Sequence, residues 1–186
     1  FENVEIVDNA IYCYNNAGST PISAFSNLGD ATLNNCTITG TYWVGAKDEN
    51  VYAQKAIDSY GGVYDIFTPN DGRLVINNSS IGGIFVHNHG QLTLFGNTKV
   101  DRIISSQLVN GTINVIKYAE VTLIDVNQYS NSYPPKVNIS ADATVGTLQL
   151  NSINPTKIAI DEAANITKII HKGVEYTSIA DFKASL

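Results

Sequence analysis

The stretch GRLVINNSSI at residues 72–81 decides the fold, because the chain repeats its pattern several times. Residues 29–38 read GDATLNNCTI, with a glycine, alternating apolar residues and paired asparagines at the same places. Residues 90–100 repeat the pattern one residue longer as GQLTLFGNTKV, and GTINV at residues 111–115 opens a further copy. A repeat of roughly 20 residues is typical of a solenoid, in which each copy buries its apolar side against the next.

Each copy of the repeat has one apolar anchor position. The anchors are Leu33, Ile76, Leu94, Val115, Ile139 and Ile160. A degenerate first copy is predicted with Ile6 as its anchor. The apolar runs are too short for stable helices, alternate with polar residues and are rich in β-branched side chains, so they predict short strands. A glycine four residues before an anchor suits either a positive φ or a close backbone approach.

Stacked copies should place equivalent side chains in columns, with successive rungs about 4.8 Å apart. One inward column is predicted to comprise Ile81, Val100, Val121, Val145 and Ile166. A second is predicted to comprise Val86, Ser105, Val126, Leu150 and His171. The outward column between them is predicted to comprise Phe85, Ile104, Asp125, Gln149 and Ile170.

This pattern predicts an all-β fold, a right-handed parallel β-helix of about seven to eight coils with a short C-terminal capping helix. A β-sandwich with accidental repeats is the alternative. Residues 1–186 are expected to form one domain. The cap is placed at residues 176–186, where Ser178 followed by Asp181 resembles a capping box. The chain has no methionine and begins at Phe1 within a coil, so we expect a covalent continuation before Phe1 and a C-terminal fragment of a longer chain.

Bulk composition limits the partners. A net charge of −6 without a basic cluster argues against a nucleic-acid partner. No run of about 18 apolar residues occurs, so we do not expect the chain to span a membrane. Low charge and abundant asparagine, threonine and serine fit an extracellular location. Cys13 and Cys36 are either bridged or two buried free thiols, and the sequence favours the thiols.

The phrases NNCTITG at residues 34–40 and GRLVINNSSI at residues 72–81 resemble the right-handed parallel β-helix proteins of the pectate-lyase-like superfamily. They are most similar to repeat-rich surface proteins of gut anaerobes and to β-helical fibres and spikes of phages. That superfamily includes polysaccharide lyases, glycoside hydrolases, adhesins and structural coils. The resemblance therefore implies a fold and leaves the chemistry open.

An enzymatic interpretation needs charged groups that converge on an outer face. The weak candidates for catalytic residues are Asp101, Arg102 and Asp125, which occupy neighbouring coils, and a salt bridge is the simpler role for them. His87 and His89 flank a bend and lack an evident third ligand, so no metal site is predicted. No phosphate-binding glycine loop or zinc cysteine pattern is present, and no cofactor is expected.

A binding interpretation rests on aromatic residues in a bulge at residues 41–72, which interrupts the repeat as a loop at residues 127–135 also does. A coil is expected inside the bulge at residues 63–67. Tyrosine and tryptophan rings suit stacking against sugar rings. The predicted ligand-binding residues are Tyr42, Trp43, Tyr52, Tyr60 and Tyr64. Alternatively, these rings only pack the bulge onto the coils.

The sequence therefore favours a noncatalytic β-helix module of an extracellular or cell-surface protein, or of a phage particle, that acts as a spacer or adhesin. Its expected partner is a carbohydrate or a host-surface ligand, bound through the aromatic bulge. A polysaccharide lyase or glycoside hydrolase acting on an acidic polysaccharide is the alternative, and the sequence leaves it open.

Overall fold

The repeats fold into stacked parallel strands. The structure is a computed structural model that describes residues 1–11, 22–43, 58, 62–69, 71–108, 110–128, 133, 135–151 and 158–186. Among these residues the strands form one large sheet, one smaller sheet and one two-stranded pair. The fold is therefore an all-β parallel β-solenoid with one short C-terminal helix, as the sequence predicts.

The large sheet contains ten strands. They are β1 (Glu5–Val7), β3 (Ile22–Ser26), β5 (Thr37–Thr39), β7 (Val63–Thr68), β9 (Ser80–His87), β11 (Lys99–Leu108), β13 (Glu120–Gln128), β15 (Thr144–Asn151), β17 (Asn165–His171) and β18 (Val174–Tyr176). The first part of β9 pairs with β5 and its last part pairs with β7, and both pairings are parallel. The coil predicted at residues 63–67 is therefore confirmed as strand β7, inside the stretch predicted as a bulge.

The smaller sheet contains six strands. They are β4 (Asp30–Asn34), β8 (Arg73–Asn77), β10 (Gln91–Phe95), β12 (Thr112–Val115), β14 (Lys136–Ile139) and β16 (Ile158–Ile160). The two-stranded pair consists of β2 (Ala10–Ile11) and β6 (Tyr42–Trp43). The regular part of the stack runs from β8 to β17 and contains fewer turns than the predicted seven to eight, so that number holds only approximately. The right-handed sense stays a prediction.

The strand registers confirm the predicted columns. In the smaller sheet, Ile76 lies opposite Leu33 on one side and Leu94 on the other, and Val115, Ile139 and Ile160 follow in the same column. In the large sheet, the column from Ile81 to Ile166 and the column from Val86 to His171 have the predicted membership. Between these two columns lies a third inward column that the sequence pattern did not predict, formed by Ile84, Ile103, Ile124, Leu148 and Ile169. The apolar side chains of the large sheet and of the smaller sheet form one continuous core.

The predicted first copy of the repeat is wrong in one respect. Ile6 was expected to take the anchor position of Leu33 in the smaller sheet. It lies instead in the large sheet, where it pairs with Ile38 in strand β5. A short apolar alternation predicts a strand equally well in either sheet, so only the pairing partner decides to which sheet the strand belongs.

Two of the repeated glycines, Gly72 and Gly90, allow close backbone approach, whereas a Cβ atom on Gly29 would meet nothing within 4 Å. A Cβ atom on Gly72 would overlap the carbonyl oxygen of Asn27, and one on Gly90 would lie 2.5 Å from the carbonyl oxygen of Thr68. Neither glycine has a positive φ. The left-handed position of the repeat lies six residues after each of these three glycines. It is taken by Asn35 with φ of 53°, by Asn78 with φ of 49° and by Gly96 with φ of 64°, and both residue types tolerate that conformation.

The C-terminal end of the stack is covered as predicted. Strand β18 pairs antiparallel with β17, and helix α1 (Ile179–Ala184) follows it. The Ser178 hydroxyl accepts a hydrogen bond from the Asp181 amide at 3.0 Å, which caps the helix. Phe182 is buried and makes edge contacts with the rings of His171 and Tyr176, so the helix closes the end of the core.

Candidate functional site

Of the five predicted ligand-binding residues, the structure describes the side chains of two, Tyr42 and Tyr64. Tyr42 lies in β6 with 49% of its surface exposed. Trp43 follows it in the same strand, but its side chain lies outside the described part of the chain, as do Tyr52 and Tyr60. A shared binding surface made by these residues therefore stays a prediction.

Tyr64, the remaining residue of the predicted aromatic site, is a packing residue in this structure. Its exposed fraction is 1%, and its ring centroid lies 5.0 Å from that of Phe85. Phe67 packs against Phe85 from the other direction, at 5.9 Å between centroids. These three rings form a cluster separate from the main core, which we call the aromatic cluster. A ring buried in this way does not offer its face to a sugar.

The aromatic cluster is bordered by Arg102, one of the candidates for a catalytic role. The Arg102 guanidinium carbon lies 4.9 Å from the Tyr64 ring centroid, within the range of a cation–π contact. Its Nη2 atom donates a hydrogen bond to the Val63 carbonyl oxygen at 2.7 Å. Glycines make room for this side chain, since a Cβ on Gly62 or Gly83 would come within 3.3 Å of the guanidinium. Arg102 therefore ties strand β11 to strand β7.

Asp101 and Asp125 do not converge. Asp101 is exposed and borders a shallow groove together with Lys99 and Glu120, which form an ion pair of 3.2 Å. Asp125 lies further along its strand in the outward column, opposite Ile104 of the preceding rung. Of the three candidates, the structure places Arg102 and Asp125 near Tyr64 and leaves Asp101 apart.

The charges of Arg102 and Asp125 shift the pKa of Tyr64 in opposite directions. Burial raises the pKa of Tyr64, the Arg102 charge lowers it, and the Asp125 charge raises it. Burial also raises the pKa of Asp125, and the hydrogen bond from the Asn151 side chain opposes this shift. Both charged side chains are therefore close enough to the tyrosine to affect its proton, although the buried ring is not open to solvent.

Asp125 belongs to a group of polar side chains that the sequence did not reveal. Its Oδ1 accepts hydrogen bonds from Asn151 Nδ2 at 2.8 Å and from Asn127 Nδ2 at 3.4 Å, and its Oδ2 accepts one from Gln149 Nε2 at 3.5 Å. We call Asp125, Asn127, Gln149 and Asn151 the carboxamide array. The signal was present as DVN at residues 125–127 and QLN at residues 149–151, which place polar residues two apart in successive copies.

Asp65 fixes the backbone beside the aromatic cluster. It is 4% exposed, and its carboxylate accepts hydrogen bonds from the Thr41 amide at 3.0 Å and the Gly83 amide at 2.6 Å. A Cβ on Gly82 would overlap the same carboxylate. Asp65 therefore joins strand β7 to strand β9 and to the segment that follows β5, which is a structural role.

The two histidines considered as metal ligands have separate surroundings. The His87 ring stacks on Phe85 with centroids 6.0 Å apart, whereas His89 Nδ1 lies 3.6 Å from the Asp71 carboxylate. In the part of the chain that the structure describes, no three histidine, cysteine or acidic side chains come together as metal ligands. Cys36 is a free, buried thiol, and Cys13 lies outside the described residues.

These observations define a parallel β-solenoid whose large sheet carries an aromatic cluster and a carboxamide array on its outer side. Comparisons of the chain with protein-family models, with curated proteins and with solved structures gave no match. Within the described ranges, no helix has the length and apolar character needed to cross a membrane.

Proposed function

We propose that the chain is a noncatalytic module of an extracellular or cell-surface protein, or of a phage particle, and that it serves as a stiff spacer or adhesin. The observation that carries this proposal is the continuous parallel stack from β8 to β17, with two apolar columns in the smaller sheet and three inward columns in the large sheet. Because every inner rung is hydrogen-bonded on both sides, such a stack resists bending and holds its surface at a set distance. Membership in the pectate-lyase-like superfamily is part of the same proposal and is supported by the repeat pattern.

The binding part of the proposal places a carbohydrate or host-surface ligand at β6. Tyr42 supports it, because a half-exposed tyrosine next to a tryptophan in sequence offers an apolar ring with a polar edge to a sugar. The role of Tyr64 changes, since its ring is buried. The proposal therefore needs Tyr42 and Trp43 and does without Tyr64.

Affinity electrophoresis tests the binding part. The protein runs in native gels cast with β-glucan, galactomannan, polygalacturonate or alginate, and retardation without loss of polymer indicates noncatalytic binding. The double variant Tyr42→Ala/Trp43→Ala should lose the retardation. Tyr118→Ala is the matched control, because Tyr118 is an exposed tyrosine outside the bulge. Equal retardation of the wild type and the double variant would contradict a role for β6.

One observation favours the alternative of a polysaccharide lyase or glycoside hydrolase: the Arg102 guanidinium carbon lies 4.9 Å from the centroid of the Tyr64 ring, so a cationic side chain and a phenol are in contact. The assay is release of reducing ends and of ultraviolet-absorbing unsaturated uronates from polygalacturonate and alginate. Activity that disappears in Arg102→Ala, while the variant still unfolds cooperatively, would establish the alternative. Its absence on all the polymers tested would leave the spacer or adhesin as the better proposal.

A further inference from the structure

The carboxamide array has the dimensions of a small binding surface. Asp125 lies opposite Gln149, and Asn127 lies opposite Asn151, in the register of β13 with β15. Neighbouring rungs are about 4.8 Å apart, and residues two apart on a strand are about 6.6 Å apart. The Cα atoms of the four residues therefore lie at the corners of a rectangle of about 4.8 by 6.6 Å, an area comparable to that of one pyranose ring.

These four side chains point away from the core. Ile124, Val126, Leu148 and Leu150 alternate with them along β13 and β15 and are completely buried. The array residues themselves are partly exposed. They are thus reachable from solvent on the outer side of the large sheet.

The hydrogen bonds within the array leave acceptors open. The three amide groups turn their nitrogen atoms toward Asp125. Gln149 and Asn151 use their side-chain nitrogen atoms, and not their side-chain oxygen atoms, in the hydrogen bonds to Asp125. Asp125 Oδ2 receives one contact, at the long distance of 3.5 Å. The array therefore presents several oxygen acceptors, together with amide donors, to a ligand that carries hydroxyl groups.

We propose that the carboxamide array is a binding site for a neutral, hydroxyl-rich saccharide. Vicinal hydroxyl groups can donate to the carboxylate and accept from the amides at the same time. In the outward column, Ile104 precedes Asp125 and Ile170 follows Gln149, so an apolar side chain lies at each end of the array for the C–H face of a sugar. The class of ligand, a saccharide, rests on the proposed function. The site is a different one, because the array lies on β13 and β15 and not at β6.

The charge of the site selects against an acidic saccharide. Asp125 contributes a carboxylate, and the chain as a whole carries a net charge of −6. Two cations lie in the neighbouring column of the large sheet: Arg102 is engaged with the Val63 carbonyl oxygen and the Tyr64 ring, and Lys168 pairs with Glu175 at 3.5 Å. A uronate carboxylate would meet repulsion at the array without a cation of its own to pair with.

The test is affinity electrophoresis in β-glucan and galactomannan gels, with polygalacturonate and alginate gels for comparison. Gln149→Ala and Asn151→Ala should each weaken retardation by the neutral polymers about tenfold in apparent affinity, the loss expected for one hydrogen-bonding group. The matched controls are Asn114→Ala and Asn138→Ala, which remove amides from a similar ladder on the smaller sheet. These controls should bind like the wild type, and thermal unfolding checks that each variant is folded.

Each outcome decides the proposal. Loss of binding in the array variants but not in the ladder variants supports it. It is overturned if the wild type is not retarded by either neutral polymer, if the array variants bind normally, or if EDTA abolishes binding and thereby reveals a cation site. Loss only in Tyr42→Ala/Trp43→Ala would refute the array and leave the proposed binding at β6 intact, whereas the reverse result would refute β6 and keep the array.

Discussion

Removing the Asp65 carboxylate should strongly destabilise the fold. Asp65 accepts hydrogen bonds from the Gly83 amide, which is buried, and from the Thr41 amide, which is partly buried. Asp65→Ala leaves both donors without this partner in surroundings where water replaces it poorly. A buried donor that loses its partner costs about 1–3 kcal/mol, and bonds to a charged acceptor lie at the upper end.

The expected loss in the free energy of unfolding for Asp65→Ala is about 3–5 kcal/mol, since both bonds to the carboxylate disappear together. Asp65→Asn keeps one acceptor oxygen and offers an amide nitrogen to the other donor, so about half of that loss is expected. Urea unfolding followed by circular dichroism measures both values, with the slope of the transition checked for two-state behaviour.

Asp30→Ala is the matched control. Asp30 is exposed and lies 3.9 Å from Arg73, and such surface pairs contribute about 0–1 kcal/mol. A loss below about 1 kcal/mol for Asp65→Ala, or a loss equal to that of Asp30→Ala, would refute the argument that Asp65 holds the strand segments together.

Three further predictions concern the core, the array and the cap. Val121→Ala removes a buried branched side chain from an inward column and should cost about 2–4 kcal/mol in urea unfolding, so a change near zero would contradict the packing of that column. Because burial raises the pKa of Asp125, the folded state binds this proton more tightly than the unfolded chain, and the contribution of Asp125 to stability falls as the pH rises from the ordinary value of 3.8 through the raised one. The stability of the wild type relative to Asp125→Asn should therefore decrease between acidic and neutral pH, and a difference that increases would show that the sign is wrong. Ser178→Ala removes the side-chain acceptor for the Asp181 amide and should cost about 1 kcal/mol in thermal or urea unfolding, whereas an unchanged midpoint would mean that the cap contributes nothing.

Much of the stack could be predicted because the amino-acid sequence repeats the same pattern once for each turn of the solenoid. Val121 and Val145 are 24 residues apart in sequence and lie opposite each other in neighbouring strands. In a solenoid, one repeat of the sequence is one turn of the backbone, so equal positions in successive copies meet directly. The same reasoning predicts that Asp125 and Gln149 share one outward column, and their side chains are hydrogen-bonded in the structure.

The candidate site could be predicted only in part. Tyr64 was expected to face a ligand, and it packs against Phe85 beneath the Arg102 guanidinium. The partner of Arg102, the Val63 carbonyl oxygen, is 39 residues away in sequence, across the interrupted part of the repeat. A local pattern of alternation cannot reveal which distant side chain will cover an outward ring, because that depends on how an irregular segment returns to the stack.

The sequence by itself determined the parallel stacking, the membership of the columns that it predicted and the C-terminal cap, because each of these follows from periodicity or from a local capping signal. Only the tertiary structure decided that Ile6 belongs to the large sheet, that Gly72 and Gly90 allow close backbone approach, and that Asp65 joins separate segments. It also decided that four polar side chains form the carboxamide array. These features depend on contacts between different rungs, where the identity of the neighbour matters more than the local pattern.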